Sequence, residues 1–101
     1  NIFVAKKNGS IVGMVILLYT VSTGLGEQVV ILEDMIVSPD ERGLGIGSML
    51  LDHAVKYVTE KGCKRITLLT DDKNIRAQKF YKQHKFHRSS MIPFRMIING
   101  R

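Results

Sequence analysis

The stretch Arg42-Gly43-Leu44-Gly45-Ile46-Gly47-Ser48 decides the fold, because the hydrophobic periodicity differs on its two sides. Before it, Val29–Val37 is rich in β-branched residues, which predicts a strand. After it, apolar residues recur every three or four positions over 46–61, which predicts an amphipathic helix ending before Gly62. A further strand, Arg65–Thr70, would complete a β-α-β unit with parallel strands.

The residues before this unit predict antiparallel strands. Apolar runs over Ile2–Lys6 and Ile11–Val21 flank Asn8-Gly9, and an Asn-Gly pair between two such runs is a strong hairpin signal. Glycines within 22–28 then predict a second turn leading into the strand at 29–37. These three consecutive strands are expected to form a meander.

The residues after the unit add a second helix and a tail. The helix is predicted over Asn74–His84, and a last strand over Met91–Ile98, where Pro93 favours a sheet edge or a bulge. The expected fold class is α/β (α+β): a mixed, mainly antiparallel central sheet that contains the β-α-β unit. With 101 residues, 1–101 is expected to be one domain.

The composition excludes several classes of protein. The chain is 45% hydrophobic and 24% charged, as in globular domains. Its longest apolar run, Ile11–Tyr19, is too short to span a bilayer, which needs about 20 residues, so no membrane association is predicted. The single cysteine, Cys63, rules out an internal disulfide and leaves too few ligands for a typical zinc site. We therefore predict no metal and a reducing, cytoplasmic location.

Positive charge is concentrated at one end of the sequence. The formal net charge of +6 is the sum of −2 over residues 1–72 and +8 over residues 73–101, which contain no acidic residue. Such a segment indicates either an anionic partner or a solvated basic helix. A nucleic-acid partner is disfavoured, because the spacing of the nearby aromatics Phe80, Tyr81 and Phe86 suits a buried face rather than a stacking platform.

The glycine-rich stretch has the properties of an anion site. Glycines let the backbone approach a ligand closely, and the N–H groups of the helix that begins here point into the loop. The P-loop pattern is excluded, because Gly47 is followed by Ser48-Met49 rather than Lys and a hydroxyl residue. The dinucleotide pattern G-x-G-x-x-G is also absent. The alternative interpretation, a turn that only packs the helix on the sheet, remains open at this point.

Two motifs give the chain a family resemblance. Arg42-x-x-Gly45-x-Gly47, directly after the strand, resembles the pyrophosphate-binding motif of the GNAT superfamily of N-acetyltransferases. The segment NIRAQKFYKQHKF, from Asn74 to Phe86, resembles the family's Asn…Phe-Tyr segment. Together the motifs cover Val29 to Phe86 and occur in the family's order. The resemblance implies a GNAT-like fold and an acetyl-CoA-dependent acyltransferase.

The resemblance also implies which residues bind the co-substrate. The glycine-rich stretch 42–48, called the glycine turn below, would hold the pyrophosphate of acetyl-CoA. The strands at 29–37 and 65–70 would splay apart to admit the pantetheine arm. The implied cofactor-binding residues are Met35, Ile36, Val37, Arg42, Gly43, Leu44, Gly45, Ile46, Gly47, Ser48, Asn74 and Tyr81.

For catalysis, the resemblance implies direct attack of a primary amine on the thioester. Tyr81 would be the general acid toward the departing thiolate. Glu33 is the predicted proton acceptor, while Asp34 or bulk water remains an alternative. On a regular strand the two carboxylates would point to opposite faces. Cys63 lies near a predicted strand start with no base beside it, so an acyl-enzyme is not expected.

Other functions remain as alternatives. Family members begin with a strand and two helices that precede the elements predicted here, so the chain is expected to be N-terminally truncated. One alternative is a non-catalytic acyl-CoA-binding sensor or partner module, and a basic nucleic-acid-binding domain comes third. The acceptor would be a small amine or a protein amine. A homodimer is compatible with the sequence.

Overall fold

A computed structural model describes residues 1–22 and 26–99. These residues form four strands, one 3-10 turn and two α-helices. In chain order these are β1 (Ile2–Lys7), β2 (Ser10–Ser22), β3 (Glu27–Val37), the 3-10 turn (Pro39–Glu41), α1 (Ile46–Glu60), β4 (Ile66–Leu68) and α2 (Ile75–Gln83). The strands lie in the order β1-β2-β3-β4 in one sheet.

The sheet is mixed, as predicted. β1 pairs with β2 and β2 pairs with β3 in antiparallel fashion, whereas β3 and β4 are parallel and are joined through α1. The β1–β2 hairpin turns at Asn8 and Gly9, whose φ angles of 53° and 82° suit the tight turn that this residue pair favours. The predicted fold class, a mainly antiparallel sheet with a β-α-β unit, is confirmed.

A β-bulge interrupts β3. Leu17 of β2 pairs with Leu32, but Ile16 pairs with Asp34, so Glu33 is an additional residue without its own partner. The bulge breaks the alternation of side chains, and both Glu33 and Asp34 are exposed. The expectation that these two carboxylates face opposite sides of a regular strand is therefore wrong.

The parallel ladder between β3 and β4 is short. It contains three residue pairs and ends where Leu32 meets Leu68, although β3 continues to Val37. β4 covers only part of the predicted strand 65–70. The two strands thus separate at the bulge, and a gap opens beside the second half of β3.

The core lies between α1 and one face of the sheet. The buried side chains of α1, with Leu51 wholly inaccessible to solvent, pack on buried residues of β2 and β3. Gly13 of β2 lets α1 lie close to the sheet. A Cβ atom at this position would lie 2.9 Å from Leu50 Cδ1 and 3.1 Å from Ile46 Cγ2. The core residues on α1 are Leu50, Leu51, Ala54 and Val58, and those on β2 and β3 include Val15, Leu17, Val30 and Leu32.

The second helix packs against the beginning of the first. The side chain of Asn74 caps α2 by accepting a hydrogen bond from the Ala77 N–H at 3.0 Å. Phe80 lies over Gly47, with its Cζ 3.5 Å from the position that a Cβ atom would take. α2 is thereby held beside the glycine turn, on the far side of the gap from β3.

The tail differs from its prediction. Residues 91–98 form no strand, and their apolar side chains are exposed, with Phe94 at 91%. Pro93 supplies no N–H for a ladder, and the three residues of β4 offer little edge to pair with. Gly100 and Arg101 lie outside the described residues. Within 1–22 and 26–99 no helix has the length and apolar character needed to cross a membrane.

Candidate active site

A cleft of about 640 Å³ opens where β3 and β4 separate. Its walls are the end of β3, the glycine turn with the start of α1, and one face of α2. Its volume is within the range of small-molecule sites in proteins. The lining residues are Met35, Ile36, Val37, Glu41, Arg42, Gly43, Gly45, Ile46, Gly47, Ser48, Asn74, Arg76, Ala77, Phe80 and Tyr81.

The cleft brings together eleven of the twelve residues that the sequence analysis assigned to cofactor binding. The exception is Leu44, which is 63% exposed and does not line the cleft. Glu33 also lies outside the lining, in the bulge at the edge of the gap.

Four lining residues were missed by the sequence analysis. Ala77 could have been found, because it lies three residues after Asn74 and four before Tyr81, on the same helix face. Arg76 and Phe80 are likewise four residues apart, and Arg76 brings part of the basic segment to the cleft. Glu41 had no local signal. Its carboxylate is 3.2 Å from the Lys7 Nζ, on the β1–β2 hairpin.

The glycine turn presents backbone donors to the cleft. Gly43 and Gly45 have φ angles of 84° and 81°, in the left-handed region that favours glycine. Gly45 is the N-cap of α1 and supplies no side chain to the first-turn N–H groups. The first turn also contains no acidic residue. These N–H groups and the helix dipole therefore remain available to an anion.

The edge of β3 presents further backbone groups. The N–H of Ser38 donates to the Val12 carbonyl of the β2 segment at 2.8 Å. Because backbone groups alternate along a strand, Ile36 also faces β2, whereas Met35 and Val37 face the side where β4 has ended. Their N–H and C=O groups thus border the cleft.

Tyr81 is a titratable side chain on the α2 wall of the cleft, and its environment changes its pKa. Its half-buried ring contacts Phe80 and Phe86 edge-on, with centroid distances of 5.3 and 5.6 Å. Burial, and secondarily the charge of Asp34, raise the pKa of the Tyr81 phenol above its ordinary value. The phenol therefore holds its proton at neutral pH and can act as a donor.

A side-chain network links the two helices at the edge of the cleft. Ser48 Oγ, in the first turn of α1, is 3.0 Å from His84 Nε2. His84 Nδ1 is in turn 3.0 Å from Asp52 Oδ1, one turn further along α1. The sequence analysis placed His84 at the end of the second helix and assigned it no role; its partners here lie 32 and 36 residues away in the chain.

Comparison with known proteins agrees with this geometry. The chain matches the acetyltransferase (GNAT) family over residues 1–86. It is 34% identical over 85 residues to the uncharacterized N-acetyltransferase YhfO of Bacillus subtilis, covering 84% of this chain and 57% of that protein. It is 36% identical over 72 residues to the thialysine N-epsilon-acetyltransferase of Bos taurus, covering 71% and 42% respectively.

Solved structures give the same result. A Pyrococcus furiosus protein whose structure is named "Putative acetyl transferase" superposes with a TM-score of 0.83 at 31% identity, covering 95% of this chain and 64% of that one. A transcriptional regulator of Bacillus halodurans C-125 superposes with a TM-score of 0.86 at 32% identity, covering 96% and 65%.

The chain belongs to the GNAT acetyltransferase family, which confirms the predicted resemblance. It spans 57% and 42% of the lengths of the two curated relatives named above.

Proposed function

We propose that this chain binds acetyl-CoA in the cleft and transfers its acetyl group to a primary amine. The observation that carries the proposal is the convergence of three features in one cleft: a glycine turn at a helix N-terminus, an unpaired edge of β3, and Tyr81 with a raised pKa. Membership of the GNAT family supports the same reaction.

The residues of the cleft fit the co-substrate. The pyrophosphate would be bound by the backbone N–H groups from Gly43 to Ser48, with Arg42 and Arg76 adding positive charge. Apart from the chain neighbours, no atom of the described residues lies within 4 Å of where a Cβ of Gly43 or Gly45 would be, so a ligand can approach their backbone. The amide groups of the pantetheine arm would bond to the free backbone edge of Met35 and Val37, and Asn74 lies on the opposite wall.

The reaction is a direct displacement. The amine nitrogen forms a bond to the thioester carbonyl carbon, and the carbon–sulfur bond breaks. Tyr81 gives its phenolic proton to the departing thiolate. A backbone N–H at the β3 edge would polarise the carbonyl, which typically contributes about 10²–10³ in rate.

The proton released by the amine needs an acceptor. Glu33 is the proposed acceptor, directly or through water, and the bulge places Asp34 beside it. Two exposed carboxylates at the edge of the gap also attract a cationic amine. The acceptor would therefore be a primary amine that carries positive charge before reaction, which agrees with the thialysine amine named for the bovine relative.

Binding is tested by thermal unfolding with acetyl-CoA. We expect the melting temperature to rise with acetyl-CoA concentration, since a ligand that binds only the folded state stabilises it by mass action. Gly45→Ala should weaken binding. Gly9→Ala is a matched control, because Gly9 has a similar φ of 82° and open space around it but lies in the distant hairpin. Unchanged melting at millimolar acetyl-CoA would contradict the proposal.

Transfer is tested by following release of free CoA thiol with a panel of amines: diamines, lysine analogues, aminosugars and a lysine-containing peptide. We expect thiol release that depends on both acetyl-CoA and one class of amine. A second candidate function, an acyl-CoA-binding sensor, is favoured by the similarity to the Bacillus halodurans regulator. A sensor would bind acetyl-CoA and acetylate no member of the panel.

A further inference from the structure

The network of Ser48, His84 and Asp52 restricts which way the Ser48 hydroxyl can donate. Asp52 presents a carboxylate oxygen to His84 Nδ1 at 3.0 Å, and a carboxylate accepts hydrogen bonds only. Nδ1 must therefore carry a proton. In a neutral imidazole the other nitrogen, Nε2, is then a bare acceptor. Ser48 consequently donates its only proton to Nε2, at 3.0 Å.

This arrangement conflicts with anion binding at the glycine turn. Ser48 lines the cleft in the first turn of α1, where the proposed pyrophosphate would lie. While its proton is committed to His84, Ser48 can offer a phosphate oxygen only its lone pairs, which repel it. Moving the proton from Nδ1 to Nε2 would leave a bare nitrogen facing the Asp52 carboxylate, which is also repulsive.

Protonation of His84 removes the conflict. An imidazolium donates from both nitrogens, to Asp52 through Nδ1 and to Ser48 Oγ through Nε2. The Ser48 proton is then free to point into the cleft. We propose that His84 and Asp52 are positioning residues that turn Ser48 into a phosphate donor, so that the pyrophosphate of the co-substrate and a proton on His84 bind cooperatively. This inference rests on the function proposed above.

The same three residue types form the catalytic triad of serine hydrolases, but the exposure argues against that role. In a hydrolase triad the aspartate is buried and stabilises the imidazolium in a low dielectric. Here the Asp52 side chain is 72% exposed and the His84 side chain 15%. Solvent screens the Asp52 charge, so it orients the imidazole without making Ser48 a strong nucleophile.

Among the groups that lie around it, His84 is the one expected to take up a proton when the co-substrate binds. From α1, Asp52 and Ser48 face the ring, and from α2, Phe80 packs on it with a centroid distance of 4.7 Å. Within 1–22 and 26–99, Asp52 is the charged side chain that forms an ion pair with His84. Arg42 and Arg76 also line the cleft, but arginine stays charged at all working pH values and adds no pH dependence.

The test measures proton uptake on binding of dephospho-CoA. This probe keeps the diester pyrophosphate and lacks the 3′-phosphate monoester, which would itself titrate near pH 6. Isothermal titration calorimetry in two buffers of different ionisation enthalpy gives the number of protons taken up. We expect net uptake between pH 6 and 8, and binding about tenfold tighter at pH 5.5 than at pH 8.

Variants separate this role from a structural one. In His84→Gln an amide N–H can donate to Ser48 without titrating, so binding should persist and lose its pH dependence. Ser48→Ala should also lose the pH dependence, with weaker binding at low pH. His87→Gln, at an exposed histidine three residues on, should behave as the unmodified chain.

The outcomes are distinguishable. Binding without proton uptake, or a pH dependence that survives in His84→Gln, would overturn this inference and leave the proposed function standing. Absence of dephospho-CoA and acetyl-CoA binding at every pH would overturn the proposed function and this inference with it. Melting curves of each variant without ligand show whether it is folded.

Discussion

Two features of its environment raise the pKa of the Tyr81 phenol. The larger influence is burial beside Phe80 and Phe86, and the second is the negative charge of Asp34. Both disfavour the phenolate, so both raise the pKa of Tyr81. The phenol therefore stays protonated through the neutral range, which is the state in which it would serve as the proposed proton donor.

Replacing Tyr81 by Phe tests this role. The ring and its contacts remain, and only the donor is lost. We expect kcat for acetyl transfer to fall by about 10²-fold or more, with the Kd for acetyl-CoA changed less than about twofold. Steady-state kinetics and calorimetry measure the two quantities. Turnover equal to that of the unmodified chain would exclude Tyr81 as general acid.

The influence of Asp34 on Tyr81 is separately testable. Asp34→Asn removes a negative charge that raises the Tyr81 pKa, so the phenol should ionise at lower pH, nearer its ordinary value of about 10. Ultraviolet titration of the tyrosinate band measures this, with Tyr81→Phe identifying the contribution of Tyr81. Glu33→Gln, at the adjacent bulge residue, is the matched control. A midpoint moved by Glu33→Gln and not by Asp34→Asn would contradict the assignment.

Among the helices and strands, the contact between α1 and β2 depends on Gly13. This residue has an ordinary strand conformation, so its role is to leave room for Leu50 and Ile46 rather than to adopt an unusual φ. Because Ile46 begins the helix directly after the glycine turn, the closeness of this contact also sets where the first turn of α1 stands in the cleft.

Gly13→Ala should therefore be destabilising. The added methyl group would lie 2.9 Å from Leu50 Cδ1 and 3.3 Å from the Ile36 carbonyl oxygen, and the backbone oxygen cannot move freely. Overpacking of this kind costs about 1–3 kcal/mol in the free energy of unfolding. Urea denaturation measures the change. If Gly13→Ala left the free energy of unfolding unchanged, α1 would not be closely packed against β2.

The elements differ in how well the sequence predicts them, for physical reasons. The hairpin at Asn8-Gly9 and both helices depend on signals within a few residues, and the sequence predicts them closely. The bulge at Glu33 is invisible, because an alternating pattern does not reveal an additional residue when its neighbours are acidic and exposed. The tail at 91–98 is apolar enough to predict a strand, but pairing depends on an available edge.

The residues of the candidate site also divide into those with a local sequence signal and those without one. Residues contributed by the glycine turn and by the Asn74–Tyr81 segment are local in sequence, and the family motifs identify them. Glu41 and the Ser48–His84 contact depend on how distant segments meet, which no local pattern encodes. The roles of Glu33, Tyr81 and the cofactor-binding residues remain predictions that the experiments above address.

In the molecule as a whole, stability depends on one helix packed against one sheet face. Leu51 has no exposed surface and sits at the centre of this core. A domain of about 100 residues has a net stability of about 5–15 kcal/mol, so the loss of one central side chain is a large fraction of the total.

Leu51→Ala should lower the free energy of unfolding by about 2–5 kcal/mol, since it removes buried contacts and leaves a cavity. The melting temperature should fall by about 4–8 °C for each kcal/mol. Met49→Ala is the control on the same helix, because the Met49 side chain is 59% exposed and should matter little. Equal effects of the two substitutions in thermal and urea unfolding would contradict the assignment of the core.

The early end of the β3–β4 ladder has a consequence for hydrogen exchange. The Val30 N–H donates to the Arg65 carbonyl at 2.9 Å and should exchange with solvent only when the sheet opens. The N–H groups of Met35 and Val37, in the same strand, face the gap and should exchange within the time of a conventional deuterium-labelling experiment. If acetyl-CoA binds in the gap as proposed, these two amides should slow toward the rate of Val30, because the co-substrate would then hydrogen-bond to the strand edge that β4 does not reach.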